Sequence, residues 1–355
     1  MCIDGQERLT FCSNDYLGLA ADPRLAETLC SAAERYGVGA GAAHLINGHF
    51  HPHQRLEEEL AEWLEVDAAR LFSTGYMANL GVVGSLVGRG DTVIADRLNH
   101  ASLVDAVQLS GAHLSRYRHN DLEDLESRLS RARGERMILT DGVFSMDGNV
   151  APLAELVVLA ERFDAWLVVD EAHAFGVLGE QGRGSFEAAG LVPGERVLRV
   201  GTLGKAFGTA GAFVAGAAEP LEVLLQRART YLFTTAQPPA VAEASRQALS
   251  IVRDEGWRRK QLRALIAAFR KAAGQLTGVE LLPSITPIQP LLVGDASRAV
   301  VLAERLADRG LLVPAIRPPT VPPGGSRLRV TFSAAHEMVD LDRLLSALRE
   351  CTILK

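Results

Sequence analysis

The sequence predicts an α/β protein: a large domain on a mainly parallel sheet flanked by helices, then a smaller α+β domain. Three observations predict it. Short apolar runs alternate with helical patterns between about residues 70 and 200. Several of those runs are apolar throughout, as strands covered on both faces are. After Thr235 the alternation stops and helical periodicity takes over. A length of 355 residues agrees with two domains at roughly 150 residues each.

Composition narrows the function classes. With 48% hydrophobic and 23% charged residues the chain is neither disordered nor a coiled coil. Its 37 Lys and Arg against 43 Asp and Glu, a net charge of −6, lack the basic surplus of a nucleic-acid binder. No apolar run approaches the roughly 20 residues of a membrane span, and no basic start leads into an apolar stretch. Four scattered cysteines, Cys2, Cys12, Cys30 and Cys351, form no C-x-x-C pair and fit a reduced compartment. A cytoplasmic protein is expected.

Taken in order, His53 to Glu65 reads as an amphipathic helix, with Leu56, Leu60, Trp63 and Leu64 on one face and Glu57, Glu58 and Glu62 towards water. Strands are predicted at 70–72, 92–95, 136–139, 166–169 and 197–200, with helices at 78–87, 103–110, 122–131 and 153–163 between them. Gln237-Pro238-Pro239 starts a long helical stretch that runs to about Leu276. Strands at 288–293, 311–315 and 327–332 and helices at 299–308 and 338–350 then make the smaller unit. The expected division is a segment 1–36 packing with the small domain, a large domain 37–250 and a small domain 251–355.

Two stretches carry chemistry. Val168-Val169-Asp170-Glu171-Ala172-His173 ends a buried run in an acid, at the carboxyl end of a parallel strand where open α/β sheets bind ligands; taken alone, Asp170 reads as well as a helix cap. Thr202-Leu203-Gly204-Lys205-Ala206-Phe207-Gly208 sets a lysine among glycines just past another buried strand. Alone it reads as a surface turn, and it is neither a P-loop nor a dinucleotide fingerprint. Together they suit pyridoxal 5′-phosphate, which needs a lysine for its Schiff base and an acid for its ring nitrogen. Ser73-Thr74-Gly75-Tyr76-Met77, a strand-to-helix turn, offers backbone N–H groups for the phosphate, and His100 is a candidate stacking ring. His44, His49, His51 and His53 lack the Cys or acid spacing that completes a tetrahedral set, so they read as loop and helix-start residues and no metal is expected.

Several motifs make the chain resemble the α-oxoamine synthases, a fold-type-I pyridoxal-phosphate family, over nearly its whole length. They are Ser13-Asn14-Asp15-Tyr16-Leu17-Gly18, Leu56-Glu57-Glu58-Glu59-Leu60-Ala61, Asn99-His100-Ala101-Ser102, Gly142-Val143-Phe144-Ser145-Met146-Asp147-Gly148, Asp170-Glu171-Ala172-His173, Thr202-Leu203-Gly204-Lys205 and Ile316-Arg317-Pro318-Pro319-Thr320-Val321-Pro322. The last points to the biotin branch. By that resemblance Lys205 carries pyridoxal 5′-phosphate as a covalent aldimine and Asp170 pairs with the pyridine nitrogen. His173 and Ser145 lie on the phenolic-oxygen side, and His100 covers the ring and reaches substrate. Gly75, Tyr76 and Thr202 hold the phosphate, joined by a hydroxyl of the partner subunit at the place of Thr234 or Thr235. Asn14, Arg317 and Thr320 line the substrate site, with Arg317 as carboxylate clamp.

The implied reaction condenses L-alanine with a pimeloyl thioester, of coenzyme A or acyl-carrier protein, with loss of CO₂, in a homodimer with a shared active site. The rivals are a glycine C-acetyltransferase of the same family and a catalytically inactive partner subunit. Retention of both Lys205 and Asp170 argues against the latter. Two departures accompany the resemblance. The family carries an N-terminal helical segment with a substrate-contacting arginine, whereas this chain starts almost at the strand Leu9-Thr10-Phe11-Cys12-Ser13, so that contact is expected to be absent or supplied otherwise. Phe175 stands where smaller residues are common and is expected to reshape the pocket.

Overall fold

The structure, a computed structural model, describes residues 5–352 in full and the backbone alone of Cys2, Ile3 and Ile353. The chain forms two compact units. The larger comprises Leu19–Phe144 and Val150–Glu255; the smaller comprises Met1–Gly18, Ser145–Asn149 and Gly256–Lys355.

The larger unit is built on seven strands: β1 (Ala68–Phe72), β2 (Thr92–Asp96), β3 (His113–Tyr117), β4 (Arg136–Asp141), β5 (Trp166–Asp170), β6 (Val197–Thr202) and β7 (Ala212–Gly216). Their spatial order is β1-β7-β6-β5-β4-β2-β3. The pairs from β3 to β6 are parallel, and β7 runs antiparallel to both β1 and β6. The apolar runs follow from this layering. Val93, Ala95, Met137, Leu139 and Val168 face one core, while their neighbours Ile94, Ile138, Leu167 and Val169 face the other. Every second residue points to the opposite face, so a sheet covered twice needs apolar residues at consecutive positions.

Helices α1 (Pro23–Tyr36), α2 (His51–Leu64), α3 (Gly75–Leu86) and α4 (Ala101–Ser110) lead into the strands or follow them. Asp22 caps α1 by accepting from the Arg24 N–H, and Thr74 caps α3 by accepting from the Met77 N–H. α1 and α2 both pack against α5 (Pro239–Asp254).

The smaller unit holds an antiparallel sheet in which Glu280–Leu281, β8 (Ile288–Gly294), β9 (Ser326–Thr331) and Ala315–Ile316 are neighbours in that order. Helices Gly256–Ala273, Ala296–Asp308 and Met338–Ile353 complete it. Leu9–Thr10 pairs in parallel with Leu311–Leu312. No helix among the described residues is long and apolar enough to cross a membrane.

The structure departs from the sequence reading at four places. β3 and β7 were not expected. The long helical stretch after Pro239 is two helices broken at Glu255, where the units divide. Residues 19–36, expected with the small domain, belong to the larger unit, and Ser145–Asn149 belong to the smaller. Glu57, assigned to the wet face of α2, is buried: its carboxylate accepts the Leu71 N–H at 2.9 Å and meets Arg70 at 3.4 Å. Burial pushes its pKa up to about 7 against the pull of those two partners.

Candidate active site

Strand ends assemble the site in the larger unit. Asp141, Asp170 and Thr202 close β4, β5 and β6, and the chain leaves β6 through the turn that carries Lys205. Lys205 Nζ lies 2.9 Å from His173 Nε2, so the predicted amine and one predicted cofactor contact are brought together. Asp170 is buried and takes two donors of this chain: Asn79 Nδ2 at 2.8 Å on Oδ2 and the Ala172 N–H at 2.9 Å on Oδ1. Asn79 also donates to Ser102 Oγ at 2.9 Å, and Ser102 Oγ lies 2.8 Å from His100 Nδ1. The acid and the candidate stacking ring are therefore joined through two intervening side chains.

Asn79 and Asp141 were missed in the sequence. Asn79 is the single amide in an otherwise apolar stretch of α3, a pattern that signals a buried partner. Asp141 ends an apolar run just as Asp170 does. Its Oδ2 accepts the His100 N–H at 2.8 Å. Burial, reinforced by the charge of Asp170 on the adjacent strand, holds the Asp141 carboxyl well above the usual range.

The turn expected to take the phosphate lies at the start of α3. A helix leaves its first N–H groups without intrahelical acceptors. In α3 the Thr74 hydroxyl takes the Met77 N–H at 3.1 Å, and those of Gly75 and Tyr76 have no acceptor among the described residues. A Cβ built on Gly75 would meet nothing nearer than Thr202 Cβ at 3.9 Å, so the predicted trio of Gly75, Tyr76 and Thr202 flanks open space at a helix N-terminus. The Tyr76 hydroxyl donates to Asp105. Thr234 and Thr235 lie between the short helix Arg229–Leu232 and α5, half-buried and exposed respectively. An amine, a carboxylate on a strand end and a cradle of free N–H groups fit pyridoxal 5′-phosphate.

Phe175 does not shape this pocket as expected. Its ring is buried, stacked on Phe213 at 5.3 Å, near Trp63 at 5.9 Å and beneath the Arg199 guanidinium at 4.7 Å. Gly201 makes room for it: a Cβ there would sit 2.6 Å from the Phe175 ring and 2.4 Å from Phe213.

The four remaining predicted residues lie in the smaller unit. Asn14 Oδ1 accepts from the Tyr16 hydroxyl at 3.2 Å and from Arg329 Nη2 at 3.4 Å. The Ser145 carbonyl accepts from Arg329 Nε at 2.7 Å. Arg317 and Thr320 are exposed, linked by the Thr320 N–H to the Arg317 carbonyl at 3.1 Å. Arg329, on β9, was missed. It is buried, with no carboxylate at ion-pair distance among the described residues. A buried guanidinium without an acid is suited to an incoming carboxylate. Arg327 and Arg329 alternate along a strand, a pattern that reads as a solvent face, and this hid both.

Three of the four histidines gather in the larger unit. Ligating atoms of His44, His49 and His53 lie within 4.8 Å of one another, and exposed His51 stays apart. His53 is committed on both nitrogens: Nδ1 accepts the Phe50 N–H at 2.9 Å, and Nε2 faces the Gln237 carbonyl at 2.8 Å. His44 and His49 share a hydrogen bond between their Nδ1 atoms at 2.8 Å, and His44 stacks on Tyr231. These contacts pack the three rings against one another and against Tyr231.

Burial, then the neighbouring imidazoles, lowers His44 to about 3; burial lowers His53 to about 4. A depressed folded-state pKa gives stability that is full above the unfolded value near 6.5 and lost as pH falls. Thermal melts are therefore expected to decline from pH 6.5 towards 4.5, at about 1.4 kcal/mol per pH unit for each group. The decline should be shallower in His44→Gln. An equal slope in both proteins would sink this account.

The chain belongs to the aminotransferase class I and II family, whose sequence pattern matches residues 6–348. It is 60% identical to the 8-amino-7-oxononanoate synthase of Thioalkalivibrio sulfidiphilus over 98% of this chain and 88% of that protein. It is 57% identical to the synthase of the same name from Pseudomonas aeruginosa, over 98% and 86% of the two chains. Among solved structures it resembles Sphingomonas wittichii serine palmitoyltransferase, with a TM-score of 0.93, 32% identity and coverage of 98% and 88%. It also resembles the 8-amino-7-oxononanoate synthase of Francisella tularensis, with a TM-score of 0.85, 30% identity and 97% of both chains covered.

Proposed function

We propose that this protein is a pyridoxal-phosphate-dependent acyltransferase that joins L-alanine to a pimeloyl thioester. It forms 8-amino-7-oxononanoate with release of CO₂ and free thiol, a step of biotin biosynthesis. The observation that carries this reading is 60% identity to a relative of that name across 98% of the chain, supported by Lys205 just past β6, Asp170 at the end of β5 and the N–H groups left unpaired among the described residues at the start of α3. When bound, the cofactor supplies an electron sink for a carbanion at the amino-acid Cα.

The chain's own groups do the rest. Lys205 Nζ would hold the cofactor and would be the base that takes the Cα proton of alanine. Asp170 Oδ atoms keep the proton on the pyridine nitrogen. The Gly75 and Tyr76 N–H groups and the Thr202 hydroxyl hold the phosphate, together with Thr234 or Thr235 of the partner subunit in a cytoplasmic homodimer. By the family resemblance His173 and Ser145 would serve the phenolic-oxygen side, and His100 would cover the ring. Asn14 and Thr320 border the substrate. Its carboxylate goes to an arginine, for which buried Arg329 is better prepared than exposed Arg317.

The test supplies L-alanine and pimeloyl-coenzyme A, then pimeloyl-acyl-carrier protein, and follows the amino ketone by mass spectrometry beside released thiol. Product from L-alanine is expected with at least one donor. Preference for glycine and acetyl-coenzyme A would hand the protein to the acetyltransferase branch. In the same assay Arg329→Lys is expected to raise KM for L-alanine about 100-fold, the worth of a charge-assisted pair. If only Arg317→Lys does so, the clamp lies on the loop.

A further inference from the structure

The hydrogen bonds around His100 decide which nitrogen of its ring carries the proton. Two donors of residue 102 converge on His100 Nδ1: the Ser102 backbone N–H at 3.3 Å and the Ser102 hydroxyl at 2.8 Å. The backbone N–H can only donate, so Nδ1 is the acceptor; the hydroxyl takes Asn79 Nδ2 at 2.9 Å on one lone pair and turns its own proton to Nδ1. Asn79 is held in that orientation because the same nitrogen donates to Asp170 Oδ2 at 2.8 Å. Turned over, its oxygen would face a carboxylate. Donation therefore runs both ways from the Asn79 amide, to the Asp170 carboxylate on one side and to the Ser102 hydroxyl on the other, and from Ser102 on to imidazole Nδ1. Asn79 and Ser102 are both buried, so water does not compete for these bonds.

We infer that Ser102, oriented by Asn79, is a positioning residue that fixes His100 as its Nε2–H tautomer, so that the ring offers a hydrogen-bond donor to the substrate and no lone pair. Which ring nitrogen is free to act follows from the bond made by the other. This rests on the reading of His100 as a ring over the cofactor that reaches substrate. It adds that His100 contributes as a donor, towards a carboxylate or carbonyl oxygen. The proton taken from Cα then stays with Lys205, since His100 has no vacant site for it on that side. The same amide ties this tautomer to Asp170, so both groups are set by one residue of α3.

The experiment is nitrogen NMR of the holoenzyme labelled with ¹⁵N-histidine, with the His100 signals assigned by their loss in His100→Asn. Wild type is expected to show a protonated Nε2 and a bare Nδ1. Ser102→Ala is expected to let the Nδ1–H form appear and to lower kcat about tenfold with KM for L-alanine and the cofactor's visible band nearly unchanged. An Nδ1–H ring in the wild type overturns the inference without needing any variant to fold. So does a Ser102→Ala protein whose tautomer and kcat both match wild type. A fully active His100→Asn variant would instead overturn the site reading beneath the inference, whatever tautomer the ring shows.

Discussion

Replacing Lys205 by alanine is expected to lower turnover by at least about 10⁴-fold, the loss that the proposed double role of its amine, cofactor anchor and Cα base, requires. The loss should appear in kcat, and added primary amines should restore part of it by supplying the missing base. The visible band that wild type acquires with pyridoxal phosphate should vanish or move in the variant. The fold should survive, since Lys205 is half-buried and its nitrogen meets His173 within the site rather than the core. Residual turnover within tenfold of wild type would remove Lys205 from the chemistry.

Asp170→Asn is the second large effect, expected at about 10²- to 10³-fold in kcat, with cofactor affinity weakened about 100-fold. The geometry makes this isosteric change costly on both counts. Each Asp170 oxygen already accepts from a donor of the chain, Asn79 Nδ2 on one and the Ala172 N–H on the other. An amide at 170 must turn its NH₂ group towards one of those donors, so the site is disturbed before any cofactor arrives. It then meets the pyridine nitrogen without the charge that keeps it protonated. Equilibrium dialysis of the cofactor and steady-state kinetics measure the two effects separately. Wild-type affinity in the variant would mean that the ring nitrogen lies elsewhere.

Legibility in the sequence tracked how local each signal was. Strands such as β4 and β5 are apolar at consecutive positions because both faces are covered, and that is visible in a handful of residues. β3, His-Leu-Ser-Arg-Tyr, lies at the sheet edge and is largely polar. β7, Ala-Phe-Val-Ala-Gly, is composed mostly of small residues beside a glycine-rich stretch. Lys205, Asp170 and His173 stood out through strand-end position and motif. Asn79 and Arg329 did not, because what singles them out is burial beside groups far away in sequence: Asp170 for one, Asn14 and Ser145 for the other. No periodicity encodes such meetings. Glu57 failed for the same reason, since helical spacing places it beside two exposed glutamates while its true partner is a backbone N–H of β1.

That last contact has a consequence for how the molecule behaves among its own copies. β1 is the outermost strand on its side of the sheet, and an outermost strand offers unpaired N–H groups on which another strand can add. The Leu71 N–H is such a group, and the Glu57 carboxyl occupies it from within the same chain. A strand arriving from a neighbouring molecule finds that donor taken and a carboxyl group in its path. The margin of the sheet is thus capped at Leu71 by a side chain of α2, at one of the places where its hydrogen bonding would otherwise continue.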